Sequence, residues 1–185
     1  MKKRLMFIGD SLTEFYDWDS RFPHDEVLNL GISGERVEEL LERLPRVISR
    51  VDKADFIFVM TGTNNIAMED YNVLGTYRGI VEMMTAGYKN ATVVVQSILP
   101  VALYWIDNRL IRSINMSLKE ISVQYKAEYL DIYRLFIEQG DKANRLCLLD
   151  DGVHISDTGY EIWSRAVEDY LRGKATSSPQ AQSCV

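Results

Sequence analysis

Short apolar runs alternate along this chain with longer stretches in which apolar residues return every three or four positions. The runs at 5–8, 27–30, 56–60, 92–98 and 128–132 predict strands. The third and fourth carry continuous apolar or β-branched residues, the pattern of strands buried on both faces of a parallel sheet. Between them, Ile106, Leu110, Ile111, Ile114, Leu118, Ile121 and Tyr125 fall in steps of three and four and make one helical stripe that packs on a sheet. A second helix is expected over 35–51, with Val37, Leu40, Leu41 and Leu44 on one side and Pro45 as a break or kink. Two more are expected over 71–88 and 157–171. This alternation predicts an α/β fold with right-handed crossovers, a sheet of about five parallel strands between layers of helices. No internal repeat or Pro/Gly/Ser-rich linker divides it, so 1–173 reads as one domain. The stretch 174–185, small and polar, reads as a disordered tail.

Composition narrows the partners. The 185 residues are 46% hydrophobic and 26% charged, which suits one globular domain with a sizeable core. Lys and Arg total 21 against 27 Asp and Glu, a net charge of −6 that argues against nucleic acid or an anionic membrane as the main partner. Cys147 and Cys184 are too few for a disulfide framework or a structural zinc site. The apolar run at 5–8 stops at Gly9-Asp10, short of a signal-peptide core, and no apolar span of roughly 18 residues follows. A cytoplasmic protein with reduced thiols and no membrane span is expected. Met83-Met84 and the aromatic clusters fit an interface between copies of the chain or core packing equally well. His24 and His154 are the only histidines, so histidine-dependent chemistry has two candidates.

In an open parallel sheet, ligands bind beyond the carboxyl ends of the strands. The loop after the first strand reads Gly9-Asp10-Ser11-Leu12-Thr13-Glu14. A serine there exposes a hydroxyl at the sheet edge beside its own N–H and suits a nucleophile. Ser11 followed by Glu14 equally has the form of a capping box, and Gly9–Thr13 could cradle a phosphate in a flavodoxin-like binding module. After the second strand, Gly34 in Ile-Ser-Gly-Glu is a turn glycine or a close backbone donor. After the third, Asn64 and Asn65 can form a turn or offer a side-chain amide to an oxyanion. Ahead of the last helix, Asp151 and His154 are three apart, so one turn of chain can set the carboxylate against Nδ1 with Nε2 facing outward. Asp150 is a rival at less suitable spacing.

In order and wording, these four segments resemble the signature blocks of the GDSL hydrolases, also called the SGNH family, over nearly all of 5–171. The resemblance implies a flavodoxin-like three-layer α/β/α sandwich. It implies Ser11 as nucleophile, Asp151 and His154 as the other triad members, and an oxyanion hole from the N–H groups of Ser11 and Gly34 and the side chain of Asn64. Ile98-Leu99-Pro100-Val101 also has the family's wording, whereas Asn65 stands where many members have Asp.

A serine hydroxyl needs a base to take its proton during attack, and His154 would be that base, held in the right tautomer by Asp151. Asp10 then reads as a supporting residue that fixes the loop, His24 as an exposed loop residue and Cys147 as a small core residue. The implied reaction is ester hydrolysis through an acyl-enzyme with no metal or organic cofactor and a small-molecule ester as substrate. A short chain leaves little room for a lid, so short acyl groups such as acetyl are expected, with a lysophospholipase or thioesterase as the alternative. A phosphate-binding module would give no work to Asp151 and His154. Tyr16, Trp18 and Phe22, or Tyr104 and Trp105, could wall a pocket or stack on a sugar; packing in the core is the competing reading.

Overall fold

The computed structural model describes residues 2–177, in which the five apolar runs form one parallel sheet. Its strands are β1 (Arg4–Gly9), β2 (Glu26–Gly31), β3 (Phe56–Met60), β4 (Thr92–Gln96) and β5 (Glu128–Leu130), in the order β2-β1-β3-β4-β5. Alternation along the strands feeds two cores. Met6, Ile8, Ile57, Val59, Val93 and Val95 join the buried residues of α3 (Val37–Arg50), α5 (Leu74–Gly87) and α6 (Asn108–Gln124). Leu5, Phe7, Phe58, Met60 and Val94 meet Leu12 of α1 (Ser11–Glu14), Trp18 of α2 (Trp18–Arg21) and Trp163 and Val167 of α7 (Asp157–Ser177). The result is the three-layer sandwich the pattern implied. Each such Leu, Ile, Val or Phe contributes roughly 1.5–3 kcal/mol by leaving water.

The departures have local causes. α3 runs through Pro45 to Arg50: the ring removes one backbone bond, while Leu40 and Leu44 on the buried side hold the helix to the sheet. α7 continues past Leu171 to Ser177, and Lys174 pairs with Glu128 of β5 at 2.6 Å. The expected tail therefore overlaps the last turn of α7, and its remainder, 178–185 with Cys184, lies outside the described residues. A small antiparallel pair, β6 (Ile137–Glu138) and β7 (Lys142–Ala143), follows β5 and carried no sequence pattern of its own. Met84 is fully buried in the core and Met83 packs against it. Among the described residues no helix is long and apolar enough to cross a membrane.

Sheet order places the site. The chain leaves β1 for the edge strand β2 and returns across the sheet to β3, so the ends of β1 and β3 are neighbours where the direction reverses. Their approach is close: a Cβ on Gly9 would lie 1.7 Å from the Met60 carbonyl oxygen. Residues just beyond Gly9 and Met60 are thereby brought together.

Candidate active site

Ser11 begins α1 one residue beyond β1. Asp10, not Ser11, is the cap: its carboxylate accepts the Leu12 N–H at 3.1 Å. The capping box expected of Ser11 and Glu14 does not form, because Glu14 Oε2 instead accepts the Ser33 N–H at 2.7 Å. The serine hydroxyl is thus released from capping and meets His154 Nε2 at 3.2 Å. On the other side of the ring, Nδ1 lies 2.6 Å from Asp151 Oδ2. Asp151 Oδ1 accepts the N–H groups of Val153 and His154, each at 2.9 Å, so one carboxylate both shapes the turn and faces the imidazole. Burial pushes the Asp151 pKa up, but these backbone and imidazole bonds outweigh it and hold the carboxyl below its ordinary range. Asp150 is exposed and makes no such contact with His154.

Hydrogen bonds link the loops that carry Ser11, Gly34 and Asn64. In the first turn of α1, Leu12 N–H is taken by the Asp10 side chain, and those of Thr13 and Glu14 by the Asp10 carbonyl at 3.1 and 3.0 Å. The Ser11 N–H has no partner among the described residues. Gly34 has φ +77°, in a turn closed by Glu35 N–H to the Ile32 carbonyl at 3.2 Å; open space surrounds its Cβ position, so conformation rather than crowding calls for glycine. Asn64, on α4 (Thr63–Ala67), donates one amide hydrogen to the Glu35 carbonyl at 2.9 Å, which holds the side chain against the Gly34 loop. Glu35 and Arg43 were not singled out by the sequence. The buried Glu35 carboxylate accepts from Arg43 Nη2 at 2.7 Å and from its Nε, and the same Nη2 donates to the Leu30 carbonyl at 2.8 Å. This pair ties the Gly34 loop to α3 and β2. Burial raises the Glu35 pKa even against Arg43.

Asn65 suits its place as an amide. Buried, it accepts the Val37 N–H at 3.1 Å and donates to Glu38 Oε2 at 3.1 Å and Asp70 Oδ2 at 3.2 Å. Aspartate could accept the first bond but would set a third carboxylate against the other two.

Asp10 is fully buried, and its Oδ2, like Thr61 Oγ1 and Thr63 Oγ1, has no partner among the described residues. Burial pushes its pKa up to about 7, with the Leu12 N–H opposing and Glu35 adding to the shift. The consequence for stability has a definite sign. An unfolded Asp10 ionises near its ordinary 3.8, the folded one near 7, so unfolding releases a proton between those values. Asp10 therefore withdraws stability as pH rises through that window, by about 4 kcal/mol at most, and by no more above it. Asp10→Asn keeps an acceptor for Leu12 and cannot ionise. Thermal melts should show the variant gaining on the wild type as pH rises from about 4 to about 8; a constant difference would mean that Asp10 does not titrate in this way. A carboxylate at this helix start also opposes phosphate binding by Gly9–Thr13.

The aromatic clusters separate. Trp18 and Phe22 are core residues stacked with Phe7, and Tyr16 donates its hydroxyl to Ser164. Tyr104 and Trp105 are exposed on the loop after β4, which is fastened to the His154 loop by Ala102 N–H to the Gly152 carbonyl at 2.7 Å. Phe15, unremarked in the sequence, is 60% exposed with its ring centroid 5.8 Å from that of His154. Its signal was the four-residue step from Ser11. His24 is exposed. Cys147 is fully buried, which pushes its thiol pKa up.

A flavodoxin-like sandwich whose switch point holds a serine–imidazole–carboxylate chain defines a protein of the serine acylhydrolase class. The model of the GDSL-like Lipase/Acylhydrolase family matches residues 7–162, and the chain belongs to that family, among the carboxylic ester hydrolases. It is 27% identical over 175 residues to platelet-activating factor acetylhydrolase IB subunit alpha1 of Rattus norvegicus, covering 90% of this chain and 74% of the relative. Identity to the N-acylneuraminate cytidylyltransferase of Escherichia coli is also 27% over 175 residues, covering 91% of this chain but only 40% of that protein's length. Among solved structures, a catalytic mutant of an acetylxylan esterase from Geobacillus stearothermophilus shares the fold at TM-score 0.71 and 21% identity, over 89% of this chain and 92% of that one.

Proposed function

We propose that the protein is a serine esterase that hydrolyses short-chain acyl esters, above all acetyl esters of small molecules, through an acyl-enzyme on Ser11. The observation that carries this reading is the continuous chain from Ser11 Oγ through His154 to Asp151, at 3.2 and 2.6 Å. His154 takes the Ser11 proton as Oγ attacks the ester carbonyl, and Asp151 stabilises the imidazolium that results. The oxyanion is received by the N–H groups of Ser11 and Gly34 and the free amide hydrogen of Asn64, each such donor being worth about 3–4 kcal/mol in the transition state. His154 then gives its proton to the departing alcohol oxygen, and water repeats the sequence to release the acid.

A short acyl group is supported by the openness of the site: Gly34 and Asp151 are exposed and His154 is partly so. It is supported also by the rat relative, which is named an acetylhydrolase. A cytoplasmic setting goes with the proposal. p-Nitrophenyl esters of increasing chain length, together with acetylated sugars, test it: kcat/KM is expected to be highest for acetyl and to fall as the chain grows. An optimum beyond about eight carbons would favour a lysophospholipase or thioesterase instead.

A further inference from the structure

Within the proposed reaction, the two sides of the ester meet different surfaces, and we infer that Phe15 recognises the alcohol side, selecting esters whose alcohol carries a ring or another flat apolar face. The inference rests on the Ser11–His154 reading. Acylation forms the Ser11 Oγ–carbonyl bond and breaks the bond from that carbon to the alcohol oxygen, which leaves with the proton held on His154 Nε2. The alcohol oxygen must therefore come within hydrogen-bond reach of Nε2, and the rest of the alcohol must pass the surface next to that ring. Phe15 is that surface. It follows Ser11 by four residues, closing α1 with its N–H on the Ser11 carbonyl at 3.0 Å, so both side chains share one side of the turn. The phenyl and imidazole centroids are 5.8 Å apart at an interplanar angle of 30°.

Phe15 does not serve the core: it is 60% exposed, whereas Leu12 and Trp18 on the same segment are buried to 1%. Ile32, 46% exposed, is a second large apolar side chain, on the next loop, which is held to this segment by the Ser33–Glu14 bond. A large exposed apolar side chain beside a base is otherwise unexplained, and a ring-bearing alcohol laid against Phe15 would cover it.

Methyl, butyl and benzyl acetate isolate the alcohol side, since all three leave the same acetyl-enzyme. The wild type is expected to prefer benzyl acetate, and Phe15→Ala to reduce the benzyl-to-methyl ratio of kcat/KM about tenfold, the scale of one aromatic contact. Phe15→Tyr should retain the preference. A loss by the same factor across all three esters, with breakdown of the acetyl-enzyme slowed equally, would overturn the inference and make Phe15 a residue that only positions His154. A wild type that hydrolyses none of the three and is not labelled by a fluorophosphonate would instead defeat the serine-esterase reading itself.

Discussion

Ser11→Ala is expected to lower kcat/KM for p-nitrophenyl acetate by about 10⁴-fold or more and to abolish covalent labelling by a fluorophosphonate. Alanine fits the same place in α1, because Asp10 supplies the cap and, among the described residues, the Ser11 hydroxyl hydrogen-bonds only with His154. Folding should be preserved, and a melting temperature close to that of the wild type would separate lost chemistry from lost structure. His154→Ala should be nearly as damaging, since an unactivated hydroxyl is a poor nucleophile. The double variant should be little worse than either single one, because the two residues act as a unit. His24→Ala, an exposed loop change with no contact to Ser11 or Asp151, provides the internal comparison. Hydrolysis by Ser11→Ala at the wild-type rate would end the proposal.

The order of burial explains what could be read from the chain. β1, β3 and β4 are covered on both faces, so their central residues had to be apolar even though Arg4, Thr92 and Gln96 stand at strand ends, and their limits came through within a residue or two. α6 is long enough for its stripe to show, although Leu110 within that stripe is 46% exposed. α1, α2 and α4 have four or five residues, too few for a helical period to be expressed. Their boundaries depend instead on single capping bonds, and at Asp10-Ser11 two adjacent residues could have made the same one. The site shows the same division. Ser11, Asn64, Asp151 and His154 could be picked out as candidates because the wording and order of their segments match the blocks of one family, while each segment alone also reads as a cap or a turn. Phe15 and His154 meet only when the loops after β1 and before α7 converge at the sheet edge, and Glu35–Arg43 joins a loop to α3 across eight residues, a step that marks neither a strand nor a single helical turn. No periodicity records such contacts.

Asp151→Asn is expected to reduce kcat by about 10³- to 10⁴-fold while leaving the 151–154 turn in place. Asparagine retains an oxygen for the Val153 and His154 N–H groups that Asp151 Oδ1 now accepts. Its amide nitrogen then occupies the position of Oδ2, 2.6 Å from Nδ1 in the wild type, and can only donate. Nδ1 must accept, the ring proton moves to Nε2, and His154 donates to Ser11 instead of accepting its proton. Turning the amide over would restore the tautomer only by aiming NH₂ at two backbone donors, breaking both bonds that shape the turn. The variant is therefore held in the unproductive tautomer by the same backbone contacts that fold the loop. Acylation and deacylation both need His154 as base, so burst and steady-state rates should fall together, with the melting temperature little changed. Asp150→Asn, at an exposed position, should remain within a few-fold of wild type. If the effects of the two substitutions were reversed, Asp150 would be the partner of His154, and the 2.6 Å contact with Asp151 would have only a structural role.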